Sequence, residues 1–211
     1  MGFDWAVIAA SVSAVAAVVA LFLSGRQMRL SNKQSLFDRR ISIWLTALGL
    51  LELYGNSKCQ LKKRNEPQLA LDVTFGWLTN NTFLCEIGSA AAHPLEPENQ
   101  KPYLIKLEEL KRIAHEARFA FKGAPSEAIG RFVDDYQELL SSIYRYQVLM
   151  SNVQESVNRF HWSLEQACKE LGEPEQRKDL FAAFDAVATS YDDISSEKMR
   201  RSIEKQIRLV S

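Results

Sequence analysis

The chain has 211 residues, with 26 Lys and Arg against 26 Asp and Glu, three His and three Cys, so its formal net charge at pH 7 is zero. That length is enough for one domain with a real core, and the odd, unpaired cysteines Cys59, Cys85 and Cys168 argue against a disulfide framework and suit a reducing compartment. The zero is a sum of unlike parts: Asp4 contributes one negative charge, residues 24–64 hold nine basic against two acidic residues, and residues 65–211 hold 17 basic against 23 acidic ones.

From Trp5 to Leu23 the chain carries no charge. At about 1.5 Å per residue such a helix covers roughly 28 Å, close to the roughly 30 Å of a bilayer's hydrocarbon. Residues 1–24 are therefore predicted to be a transmembrane anchor. Met1–Asp4 lacks the positive start of a cleaved signal peptide, and Ala6 stands where a myristoylation signal needs Ser or Thr. Ala6, Ala10, Ser13, Ala17 and Ala20 recur at spacings of 4, 3, 4 and 3, a face of small residues along which spans can pack. Beyond the anchor, residues 25–64 form a basic juxtamembrane helix and loop, led by Arg26, Arg29, Lys33, Arg39 and Arg40. The positive-inside rule puts this flank in the cytoplasm, with the lipid bilayer as its expected contact in preference to nucleic acid.

After a break at Ser24-Gly25, a helix from Arg26 to Tyr54 is predicted to place Phe37, Ile41, Trp44, Leu48 and Leu51 on one face and to stop at Gly55-Asn56. Its apolar part, 41–54, is too short for a second span and is expected in the domain core. A polar loop with Lys62, Lys63 and Arg64 leads to Pro67. Residues 69–78 alternate as a strand does but also place Leu71, Phe75, Leu78 and Thr82 on one helical face; helix is preferred, because a lone strand leaves its backbone unpaired. Pro94–Pro102 reads as a loop, and Pro102 as the first-turn proline of a helix with Tyr103, Leu107, Leu110, Ala114, Ala117 and Phe121 inward and its end at Gly123.

The clearest pattern follows. Phe132, Tyr136, Leu139, Ile143, Tyr146, Met150, Val153, Val157, Phe160 and Leu164, continued by Ala167 and Leu171, keep an unbroken 4, 3 alternation, predicting one long helix or two nearly collinear ones. A seam of mixed Tyr, Phe, Met and aliphatic residues suits packing against the chain's own helices better than a two-stranded coil. Past Gly172 and Pro174, one more helix buries Leu180, Phe184, Val187, Tyr191 and Ile194, and a last one from Ser196 to Val210 offers Met199, Ile203 and Ile207. The predicted fold class is all-α: a single N-terminal transmembrane helix, then a helical cytoplasmic domain over 65–211 with one long heptad-patterned helix.

No phosphate-binding loop, dinucleotide fingerprint, nucleophile elbow or zinc-protease motif occurs in the chain. The acidic pairs Glu108-Glu109, Asp134-Asp135 and Asp192-Asp193 point about 100° apart on a helix and read as solvated faces. His93, His115 and His161 lie far from one another and from the cysteines. No catalytic residue, cofactor site or metal site is expected, and the chain reads as a non-enzyme.

The stretch Arg26–Trp44, R-Q-M-R-L-S-N-K-Q-S-L-F-D-R-R-I-S-I-W, directly after an uncharged amino-terminal span, resembles small bacterial membrane proteins with a helical cytoplasmic domain. It is most similar to the transmembrane effectors that accompany retrons in phage defence, with Lys33-Gln34 and Leu36-Phe37-Asp38-Arg39-Arg40 carrying the likeness over about 45 residues. The resemblance implies an inner-membrane effector held inactive by a protein partner, a reverse transcriptase with its DNA–RNA product. On infection such an effector damages the inner membrane and stops growth. A single span makes no pore alone, so the active form would be an oligomer. The alternative is a non-toxic membrane-tethered scaffold or regulator that holds a partner at the bilayer.

Overall fold

The computed structural model describes residues 5–61 and 71–208, with side chains from Val18 onward apart from Gln60. Every regular element among them is helical: α1 (Trp5–Leu61), α2 (Leu71–Thr79), a 3-10 turn at Cys85–Ile87, α3 (Pro97–Ala120), α4 (Ala124–Phe160), α5 (Leu164–Glu170), α6 (Glu173–Ser195) and α7 (Glu197–Ile207). The expected all-α class holds. Two compact units share α1, one ending at Arg39 and the other beginning at Arg40.

In the first unit, Val18, Val19, Leu21, Phe22 and Leu23 are 50–74% exposed. Ala20, from the small-residue face, is exposed too; Ala6, Ala10, Ser13 and Ala17 lie outside the described side chains, as does most of the uncharged run. No helix among the described residues is long and apolar enough to cross a membrane. The expected break at Ser24-Gly25 is absent: helix continues through both, because one glycine inside a helix costs only about 1 kcal/mol relative to alanine.

The second unit contains the core. α1 passes Gly55, the expected stop, and continues to Leu61. A Cβ at Gly55 would lie 2.9 Å from the Tyr191 Oη of α6, and the Tyr54 and Tyr191 rings meet tilted at 47° with centroids 5.0 Å apart. This glycine marks a close helix approach rather than an end. The buried stripe of α1 is Ile43, Ala47, Leu50, Leu51 and Tyr54. The expected face is rotated from it, with Phe37, Ile41, Trp44 and Leu48 only half-buried, since an apolar run all round the helix defines no unique inward side. The loop of Lys62, Lys63 and Arg64 lies outside the described residues.

Residues 71–79 are helix, with Leu71, Phe75, Leu78 and Thr79 buried. Thr79 Oγ1 donates to the Phe75 carbonyl at 2.8 Å, and Thr82 falls beyond the helix end and is exposed. α3 begins at Pro97 and carries Pro102 inside it, five residues earlier than expected. The carbonyl that Pro102 leaves without a donor belongs to Glu98, in the exposed first turn where water reaches it. Tyr103, Leu110, Ala114 and Ala117 face inward, and Phe121 is buried just past the helix. Gly123, at φ +64°, makes the turn into α4, a conformation that favours glycine.

α4 is the central element, packed against α2, α3, α5, α6 and α7. Phe132, Tyr136, Leu139, Ile143 and Tyr146 of the seam are buried in one core with α1, α3 and α6, and Val153 is buried outside that cluster, so the seam packs within the chain. Met150 and Val157 are half-buried. The seam does not continue as one rod. α4 stops at Phe160, His161 takes a left-handed conformation at φ 55°, and α5 starts at Leu164, leaving Phe160 and Leu164 exposed and only Ala167 buried again. Ser163 Oγ accepts from the Gln166 amide at 3.1 Å. This is half of a capping box that starts a new helix.

Candidate functional sites

Basic residues just after the uncharged run divide into two kinds. Arg26, Arg29, Lys33 and Arg39 are exposed, whereas Arg40 is half-buried and engaged by protein. Its Nε donates to the Ala120 carbonyl at 2.7 Å and its Nη1 to the Gln206 carbonyl at 2.8 Å. Those carbonyls end α3 and α7, where no intrahelical donor remains and a positive charge is favoured. The guanidinium also sits 5.9 Å from the centroid of the Phe121 ring. Gln206 completes the clasp, accepting from the Lys122 amide and donating to the Lys122 carbonyl, both at 2.9 Å. Arg40 is thus removed from the set expected to face lipid headgroups.

A second polar cluster lies where α4, α5 and α6 meet. Glu173, 6% exposed at the first position of α6, accepts from the Tyr146 hydroxyl and, at 2.6 Å, from Arg177 Nε. Burial first, and then Glu173, push the Tyr146 phenol well above its ordinary range, while the bond to Glu173 raises Arg177. Burial raises the nearby Cys168 thiol, so its reactive thiolate is suppressed. Tyr136 donates to the Leu78 carbonyl at 2.7 Å and Tyr103 to the Leu140 carbonyl at 3.5 Å. Burial raises both phenols. Protonated phenols facing fixed acceptors serve as donors, and these hold helices together. The heptad spacing located Tyr136 and Tyr146; nothing local in the sequence pointed to Glu173, whose partner is 27 positions away.

The acidic pairs do not all face solvent. Asp134 accepts from Arg118 at 2.6 Å across α3 and α4, and Asp193 pairs with Arg131 across α6 and α4. Asp135 is half-buried against α6, and burial raises its carboxyl pKa against the lowering effect of the Ser190 hydroxyl and Arg131. Among the described residues no three His, Cys, Asp or Glu come together as a metal site.

Between α1 and the segment after α2 runs an open groove of two adjoining cavities, about 470 and 290 Å³, which share Leu53, Asn56 and Asn80. Asn81 is tied into its turn, its Oδ1 accepting from the Leu84 amide at 2.8 Å, and Trp77 and Phe83 add aromatic surface. The groove is neutral apart from Glu52 and offers carboxamide donors and acceptors.

Fold and sites together define an all-helical domain whose buried polar groups serve to join helices. No protein-family model matches this chain, and no characterised protein or solved structure matches it either.

Proposed function

We propose that this chain is a single-pass membrane protein whose residues after Leu23 lie in the cytoplasm, and that it acts as a membrane-disrupting effector of a retron-like antiphage system, restrained by a protein partner until infection. The observation that carries the reading is the uncharged run Trp5–Leu23, followed at once by an excess of basic residues. The exposed Val18, Leu21 and Phe22 are side chains that a bilayer would cover. Clustered copies would bring spans together along Ala6, Ala10, Ser13, Ala17 and Ala20.

Regulated expression in growing bacteria tests this. Collapse of the membrane potential on induction is the expected result, and Ala10→Leu with Ala17→Leu should abolish it while leaving insertion intact. The control, Val12→Leu with Val19→Leu, should remain toxic. The second reading, a membrane-tethered scaffold, is favoured by the carboxamide-lined groove, a surface suited to holding a partner. Normal growth and an unchanged potential on induction without any partner would leave the scaffold as the function.

A further inference from the structure

Phe119 is 89% exposed, more than any other large apolar side chain among the described residues. It sits on α3 with Leu104, 61% exposed, and Ile105, 47% exposed. At 3.6 residues per turn, positions 104, 105, 108, 111, 112, 115 and 119 fall within an arc of about 120°, so the three apolar groups frame Glu108, Lys111 and Arg112 on one outward face. Nothing else among the described residues covers it, since all of these side chains are exposed.

We propose that this face of α3 docks on the same face of a second copy, the two helices running antiparallel about a two-fold axis that passes at position 110. Glu108 and Arg112 are symmetric about that position, so each copy's glutamate meets the other's arginine, with Lys111 beside it. Lys101 and Phe119 are symmetric about the same position, which places each phenylalanine against the other copy's Lys101 stem and Leu104. One register therefore pairs the charges and covers the apolar side chains together, and the antiparallel helix dipoles favour it. Parallel copies would set Glu108 against Glu108 and Arg112 against Arg112, which like charges oppose. Arg112 Nη1 already meets Glu116 Oε1 at 3.0 Å, and a guanidinium with five donors retains others for the second glutamate. The inference is independent of the membrane reading, because α3 lies wholly in the second unit.

The test uses the full chain in whichever cell fraction holds it, with Cys59, Cys85 and Cys168 changed to serine. Two differently tagged copies are co-expressed, one with Lys101→Cys and the other with Phe119→Cys, and mildly oxidised. A mixed disulfide dimer at least about tenfold more abundant than either variant's own dimer is expected. No mixed dimer, or a dimer formed by Phe119→Cys with itself, overturns the proposal. In chains that keep Phe119, Glu108→Lys should weaken self-association by at least about tenfold, and adding Arg112→Glu should restore it with helix content unchanged. A double variant as weakly associated as the single one overturns the charge pairing, and so does a Glu108→Lys chain that associates as the parent does.

Discussion

Glu173 shows how a single buried group sets the terms for its neighbours. Its carboxylate is almost closed off from water, so each lost donor leaves charge unmatched. Tyr146→Phe is expected to lower stability by about 1–3 kcal/mol in urea unfolding, because one lone-pair site is then left empty in the interior. Asp135 acts in the opposite sense. Its folded pKa stands above that of the unfolded chain, so its ionisation opposes folding at neutral pH, and the opposition fades as pH falls through the folded value and then through the unfolded one, about 3.9. Asp135→Asn should therefore stabilise the protein at pH 7, with a gain that vanishes below about pH 4; an equal gain at both pH values in urea titrations would contradict this. Seam spacing made Tyr146 legible as a core residue. Its proton acceptor was not legible, since pairings between distant positions leave no periodic trace.

At the scale of elements, two glycines separate packing from propensity. A Cβ on Gly130 would lie 3.0 Å from Arg118 Cγ and 3.1 Å from the Ala114 carbonyl of α3, and a backbone atom cannot swing aside. Gly130→Ala should cost about 1–3 kcal/mol by prising α3 from α4. Gly76 has nothing within 4 Å of its would-be Cβ. Gly76→Ala should add about 0.5–1 kcal/mol through helix propensity alone, and thermal melts of the two variants should move in opposite directions. The same physics explains what the sequence showed of the helices. α6 and the first half of the seam were legible because their apolar residues recur on one face, whereas α2, with Val73 and Trp77 apolar but exposed, also alternates as a strand does and reads as helix only because a lone strand would leave its backbone unpaired. Gly25 and Gly55 misled, because a glycine signals a helix end only where solvent or a turn makes use of it. The interruption at Phe160–Leu164 was hidden by apolar residues that kept the heptad, although Ser163 and Gln166 carried the capping signal.

For the whole molecule, the division at Arg39–Arg40 yields a prediction about which residues the bundle needs. A chain beginning at Phe37 should stay folded and helical. Arg40→Gln within it should cost about 1–3 kcal/mol, since carbonyls ending two helices lose a charged donor. A periplasm-dependent phosphatase fused after Ser211 should be inactive in the full chain; activity would reverse the orientation proposed from the basic residues. The basic stretch was legible as a block of charge, but composition does not distinguish an arginine that faces outward from one that closes a bundle. The clasp also bears on synthesis. Arg40 and Gln206 are 166 positions apart, so a chain leaving the ribosome from its amino end carries the arginine long before its second acceptor exists. A product terminated between Ala120 and Gln206 leaves Arg40 with one helix end instead of two, and a protease that attacks loosened termini can tell such chains from those that carry α7.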